Sequence, residues 1–82
     1  MRIEVLLFAT FADVAGCRTV SLEVEESCTV RSMIQALQEK FPALRDYTAA
    51  RILVAVNQEM AGPEQQLSRG DEVGVFPPVS GG

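Results

Sequence analysis

The residues with the most chemical promise are the last ones, Val79-Ser80-Gly81-Gly82, which follow a Pro77-Pro78 pair. Glycine has no Cβ, so two in a row let backbone approach a ligand or another protein more closely than side chains permit. A terminus built this way threads a narrow channel and presents its carboxylate at the far end. That carboxylate is inert as it stands. Adenylation makes it an acyl donor, and attack by a sulfur nucleophile then gives a thiocarboxylate, a stable yet reactive sulfur carrier at neutral pH. Ser80 suits solubility and tail hydrogen bonding better than chemistry. The same ending also suits a frayed terminus, because the last residues of most domains are poorly ordered.

Elsewhere the search for reactive groups is mostly negative. Histidine is absent, which removes the commonest general base and metal ligand together. There is neither a Ser/His/Asp set nor a phosphate-cradling glycine loop. Cys17 and Cys28 stand in no metal or redox spacing and read as unreactive small thiols, with no neighbour in sequence to lower their pKa. A disulfide between them fits the spacing but needs an oxidising compartment that the chain does not signal. The acidic pairs Glu25-Glu26 and Asp71-Glu72 read as solvated turns, and Tyr47 and Met60 as packing residues. No metal and no permanently bound cofactor is expected. With 82 residues there is no room for a second, pocket-bearing domain. The chain is therefore expected to act through a partner's active site rather than as an enzyme alone.

A domain of this size buries roughly 60–65% of the surface its unfolded chain exposes, so its core is thin. Hydrophobic residues at 48% and charged ones at 22% argue for a globular domain against disorder. The net charge is −4, and the seven Lys/Arg are scattered along the sequence. Such a chain has no electrostatic footprint for nucleic acid. Its acidity suits either a basic protein surface or plain solubility. No apolar stretch reaches the ~18–20 residues of a membrane span, and the start lacks signal-peptide organisation. A cytoplasmic protein without membrane contact is the expectation.

The hydrophobic pattern supplies the scaffold. Residues 2–9 read as a strand, with Ile3, Val5 and Leu7 on one face and Glu4, Leu6 and Phe8 on the other. Residues 10–16 form a turn or short helical stretch stopped by Gly16, and residues 18–25 alternate as a second, hairpin-paired strand. Thr29 is an N-cap for a helix whose stripe is Val30, Met33, Ile34, Leu37 and Phe41, ended by Pro42. Residues 43–50 are irregular or a second short helical turn. Residues 52–56 form a third strand, Asn57-Gln58-Glu59 turns it, and Met60-Ala61 make a short return strand. Leu67 plugs the core, Arg69-Gly70-Asp71 turns the chain, and residues 72–76 are the last strand. One helix bridging a hairpin to later strands, with the last strand beside the first, gives an α+β β-grasp with a mixed sheet of about five strands.

That arrangement bears on the tail. Leu6 and Phe8 would point away from the helix, as would Phe76 on the neighbouring last strand. An apolar patch on the helix-free face marks a partner site. It would sit at the root of the tail, and Pro77-Pro78 would limit the entropy lost on threading. The alternative is that the stretch 10–16, including Phe11, folds over the patch.

The segment Gly70-Asp71-Glu72-Val73-Gly74-Val75-Phe76-Pro77-Pro78-Val79-Ser80-Gly81-Gly82 resembles the C-terminal signature of molybdopterin synthase small subunits. Leu7-Phe8-Ala9 and Val54-Ala55-Val56-Asn57-Gln58 are similar to earlier stretches of that family. The resemblance covers the whole chain in length and element order. It implies a ubiquitin-like β-grasp domain over residues 1–76 and a flexible tail over 77–82. It further implies that the Gly82 carboxylate is adenylated by a ubiquitin-activating-like adenylyltransferase, which consumes the ATP, and is thiocarboxylated from a sulfur donor protein. In the hetero-oligomeric synthase the large subunit would receive this tail, and the sulfur would pass to cyclic pyranopterin monophosphate to build the dithiolene. Gly81 would then be the companion in the channel, and Phe76, Pro77, Pro78 and Val79 the tail base that meets the partner. Two departures stand out. Many members carry Arg-Glu where this chain has Ala12-Asp13, and many carry alanine at Gly74, whose glycine should slightly loosen the last strand. Sulfur carriers for thiazole synthesis or tRNA thiolation, and protein modifiers joined to lysines, share this fold and ending. The Pro-Pro-Val-Ser context favours the molybdopterin branch.

Overall fold

Strict alternation of burial along the first strand sets the two faces of the sheet. In β1 (Arg2–Leu7), Ile3, Val5 and Leu7 are buried, while Arg2 and Glu4 are exposed and Leu6 is half-buried. The structure, a computed structural model, describes residues 1–47 and 51–78. β2 (Thr19–Glu23) pairs antiparallel with β1, Val5 opposite Val20. β5 (Glu72–Phe76) lies parallel to β1 on its other side, Val5 opposite Val73. β3 (Leu53–Val56) runs antiparallel to β5, and β4 (Glu59–Met60) antiparallel to β3. The order β2-β1-β5-β3-β4 is the mixed five-stranded sheet of a β-grasp.

α2 (Val30–Lys40) lies across one face and buries Val30, Met33, Ile34 and Leu37, the stripe expected from spacing. Thr29 caps it, with the Ser32 N–H donating to Thr29 Oγ1 at 3.2 Å. Such a cap stabilises by about 1 kcal/mol. Phe41 ends the helix at φ −126°, ψ 86°, because Pro42 excludes helical backbone before it. A 3-10 turn follows over Pro42–Asp46. Leu67 completes the core at 1% exposure.

Several boundaries differ from the sequence reading, each for a local reason. β1 ends at Leu7 because Ala9 takes φ 53°, ψ −133° and swings the chain into α1 (Thr10–Ala15). That short helix is closed by Gly16 at φ 76°. Phe11, at its second position, is fully buried and meets Tyr47 edge-on at 5.0 Å. It therefore belongs to the core and does not cover the opposite face of the sheet. The return strand starts at Glu59, not Met60, because Asn57 and Gln58 both have positive φ (53° and 71°) and close a two-residue hairpin. Met60 is 65% exposed, against the expectation that it packs inside. Its register opposite Ala55 places it on the helix-free face.

Candidate functional site

The helix-free face of the sheet carries the candidate site. Parallel pairing of β1 with β5 brings Leu6 opposite Gly74, and Phe8 lies one step beyond, beside Phe76. Those two rings stack with centroids 4.5 Å apart and planes 5° from parallel. Phe8 is 40% exposed, and Leu6 and Phe76 are half-buried. The three residues singled out in the sequence thus form one contiguous surface, as that reading required.

Register adds residues that the pattern did not reveal. Leu53 stands opposite Phe76, Ala55 opposite Gly74 and Met60 opposite Ala55. The apolar row therefore continues to the β4 edge. A shallow hollow of about 110 Å³ is lined by Leu6, Phe8, Ala55, Gln58, Gly74 and Phe76, with Glu72 at its border. A larger groove of about 460 Å³ adjoins it around Phe8, Ala9, Ala12, Asp13 and Arg18. Ala12-Asp13, the departure from the resembled pattern, thus borders the same surface.

Gly74 has a specific reason to be small. A Cβ there would lie 3.1 Å from Phe8 Cε2 and 3.3 Å from Phe76 Cε1, tighter than ordinary contact. The glycine is the floor on which the aromatic pair rests. It keeps its ladder partners on both sides, Leu6 and Ala55, so β5 is continuous through it.

Phe76 closes β5, and Pro77 and Pro78 leave it half-buried. Val79, Ser80, Gly81 and Gly82 lie outside the described residues. The root of the tail is thus on the apolar surface.

The other reactive candidates are structural or solvent-facing. Asp71 accepts from Asn57 Nδ2 (3.0 Å) and from the Ser68 N–H (2.7 Å), tying the turn before β5 to the hairpin after β3. Glu26 pairs with Arg69 at 3.0 Å, Glu23 with Arg2 at 3.2 Å and Glu64 with Arg31 at 2.8 Å. Cys17 is exposed and Cys28 buried. Burial pushes the Cys28 thiol up from its ordinary value, and the charge of Glu25 adds to that. A raised thiol is a poor nucleophile. Among the described residues there is no cluster of three or more metal-ligating side chains, and no helix is long and apolar enough to cross a membrane.

Comparison with known proteins agrees with this architecture. Small archaeal modifier protein 1 of Haloferax volcanii is 40% identical, covering 93% of this chain and 95% of the relative. Its crystal structure superposes with a TM-score of 0.85 at 36% identity, over 95% of this chain and 98% of that one. The molybdopterin synthase sulfur carrier subunit of Chlamydomonas reinhardtii is 34% identical, with 100% of both chains covered. A ubiquitin from Caldiarchaeum subterraneum shares the fold, with a TM-score of 0.65 at 16% identity over 100% of this chain and 98% of that one. The ThiS family profile matches residues 5–82, from the middle of β1 through the Gly-Gly end. A β-grasp sheet with that match, and with full-length relatives among sulfur carrier subunits and small modifiers, makes this chain a ubiquitin-like member of the ThiS family.

Proposed function

We propose that this chain is the sulfur carrier subunit of a molybdopterin synthase, with the Gly82 carboxylate as the group that carries sulfur. The observation that carries the reading is the exposed Phe8–Phe76 stack at the root of the tail. A partner seated on that surface has the chain's last residues directly beside it. From Pro77 to Gly82 an extended chain spans at most about 20 Å. The receiving site would therefore lie within that distance of Phe76. Alignment over 100% of both this chain and the Chlamydomonas sulfur carrier subunit supports reading the chain as a sulfur carrier.

In this reading a carboxylate oxygen of Gly82 attacks the α-phosphorus of ATP on a ubiquitin-activating-like adenylyltransferase, and pyrophosphate leaves. A hydrosulfide equivalent from a sulfur donor protein then attacks the acyl carbon, and AMP leaves. The resulting thiocarboxylate passes its sulfur to cyclic pyranopterin monophosphate inside the large subunit, and water returns the acyl group to carboxylate. Nucleotide and pterin are handled by partners, in the cytoplasm. The chain contributes the surface of Leu6, Phe8, Phe76, Pro77 and Pro78 and the tail of Val79, Ser80, Gly81 and Gly82. It is part of an enzyme and not one alone.

Intact-mass measurement after incubation with activating enzyme, ATP and a sulfur donor tests this. The expected result is replacement of one oxygen by sulfur, located at Gly82. Deletion of Gly82 should abolish sulfur transfer while leaving melting temperature and docking nearly unchanged. An unaltered mass with an active adenylyltransferase would sink the reading.

The 40% identical relative is named as a modifier protein, which favours a second reading in which Gly82 is joined to lysines of other proteins. High-mass conjugates in cell extract that survive reducing agents would establish it. A thioester link would be cleaved by thiol reducing agents, and a thiocarboxylate joins no second protein.

A further inference from the structure

We propose that the protein covering the helix-free sheet face inserts a basic side chain along Leu6, with its head group between Glu4 and Glu72. This carboxylate pair then helps to select the partner. The proposal rests on the docking surface proposed above and adds the chemistry of what docks there. Glu4 and Glu72 stand directly opposite each other in the parallel β1–β5 ladder, one strand spacing of about 4.8 Å apart. Both are exposed. Like charges directly opposite in a sheet are destabilising. Among the described residues neither carboxylate has a salt-bridge partner; the Glu4 carboxylate accepts only from the Ser21 hydroxyl, at 2.6 Å. Arg2, the cation on the same face, is committed to Glu23 at 3.2 Å. Asp71 is also committed, through Asn57 and Ser68.

Above the pair lies a depression of about 300 Å³ lined by Arg2, Glu4, Leu6, Gly70, Asp71 and Glu72. It is continuous with the aromatic patch, since Leu6 and Glu72 line both hollows. A long basic side chain fits this sequence of surfaces. Its aliphatic stem covers Leu6 while its charged end meets the two carboxylates. Arginine suits the pair best, because its planar fork donates to two acceptors at once. The partner is therefore a protein with an apolar contact for Phe8 and Phe76 and a basic residue about two strand positions away.

The test measures binding of the large subunit and of the adenylyltransferase to wild type, to the double variant Glu4→Gln/Glu72→Gln, to Glu4→Lys/Glu72→Lys and to Phe8→Ala. The glutamine pair should weaken at least one partner about tenfold at low salt, mainly through slower association. The deficit should shrink at high salt, because this surface is open to ionic screening. The lysine pair should weaken it further, and changing one basic residue of that partner to Glu should restore binding. Phe8→Ala should weaken binding at every salt concentration. The glutamine pair should also melt higher than wild type, which shows that its binding loss is not a folding defect. Unchanged low-salt affinity in the glutamine pair, with Phe8→Ala impaired, overturns this proposal and leaves the docking surface standing. Unchanged affinity in all variants overturns both. Self-association of the chain alone, lost in these same variants, would assign the face to a second copy and overturn the proposal.

Discussion

Phe8, just past the end of β1, and Phe76, the last residue of β5, lie flat against each other, 4.5 Å apart and 5° from parallel, over a backbone position that has no side chain. The stack exists because Gly74 leaves room for it. Gly74→Ala therefore sets two effects against each other. Alanine removes about 0.5–1 kcal/mol of backbone entropy lost by glycine on folding. Its Cβ must also displace Phe8 Cε2 from 3.1 Å. Phe8 is 40% exposed and has solvent to move into, so the expected outcome is a small net gain in urea-unfolding stability with altered ring-current shifts of both rings. Gly74→Val is too large for that adjustment and should forfeit the stack, worth about 0.5–1.5 kcal/mol.

Two phenylalanines three positions apart should respond in opposite ways. Phe11 is fully buried against Tyr47, and its truncation to alanine should remove about 3–5 kcal/mol of stability. A domain holding about 5–15 kcal/mol in total would be left marginal. Phe8→Ala should lower stability by only about 1 kcal/mol, because much of the ring is already in water. Its effect should fall on partner binding. Parallel denaturation and binding curves of the two variants check both statements.

What made these roles legible, or not, differs from element to element. α2 could be read outright because Val30, Met33, Ile34 and Leu37 repeat at helical spacing between a Thr29 cap and Pro42. The two faces of β1 followed from the alternation of Ile3, Val5 and Leu7. Whether Phe11 covered the patch or entered the core depended on the backbone of Ala9, whose φ of 53° no alanine advertises. Leu53, Ala55 and Met60 joined the patch only through strand register, which is a long-range property of the sheet. The hairpin between β3 and β4 was legible, but its turn read one residue too long, as Asn57-Gln58-Glu59, because Asn57-Gln58 lacks the glycine that usually announces a two-residue turn. The Gly-Gly end, where the chemistry is proposed, falls outside the described residues, so its reading rests on the sequence alone.

That hairpin yields a stabilising substitution. Gln58 sits at φ 71°, where an L side chain costs roughly 1–2 kcal/mol. Asn57 tolerates its own φ of 53° better, because its side chain accepts from the Glu72 N–H at 2.9 Å and donates to Asp71. Gln58→Gly should therefore raise stability by about 1 kcal/mol, or about 4–8 °C in melting temperature for a domain of this size. Asp71→Ala should do the reverse by a similar amount, since it strands the Ser68 N–H and the Asn57 amide. A thermal melt of each variant decides the matter.

Cys28 gives the fold a predictable weakness in alkali. Burial is the main cause that raises its thiol above the ordinary value of 9.0; the Glu25 charge adds to it and the chain's amino group opposes it. The folded protein thus holds the thiol proton after the unfolded chain has released it. Below the ordinary thiol range both states carry the proton, and stability does not depend on this group. As pH rises above that range the unfolded state is favoured, by at most about 1.4 kcal/mol per pH unit for one proton, until the folded thiol also ionises. Urea-unfolding free energies should therefore decline above pH 9.0 more steeply in wild type than in Cys28→Ala. Native-state alkylation should follow the same geometry, with the exposed Cys17 modified first and Cys28 only as the domain opens. Equal slopes for the two proteins, or equal alkylation rates at the two thiols, would show that Cys28 is not held protonated by its surroundings.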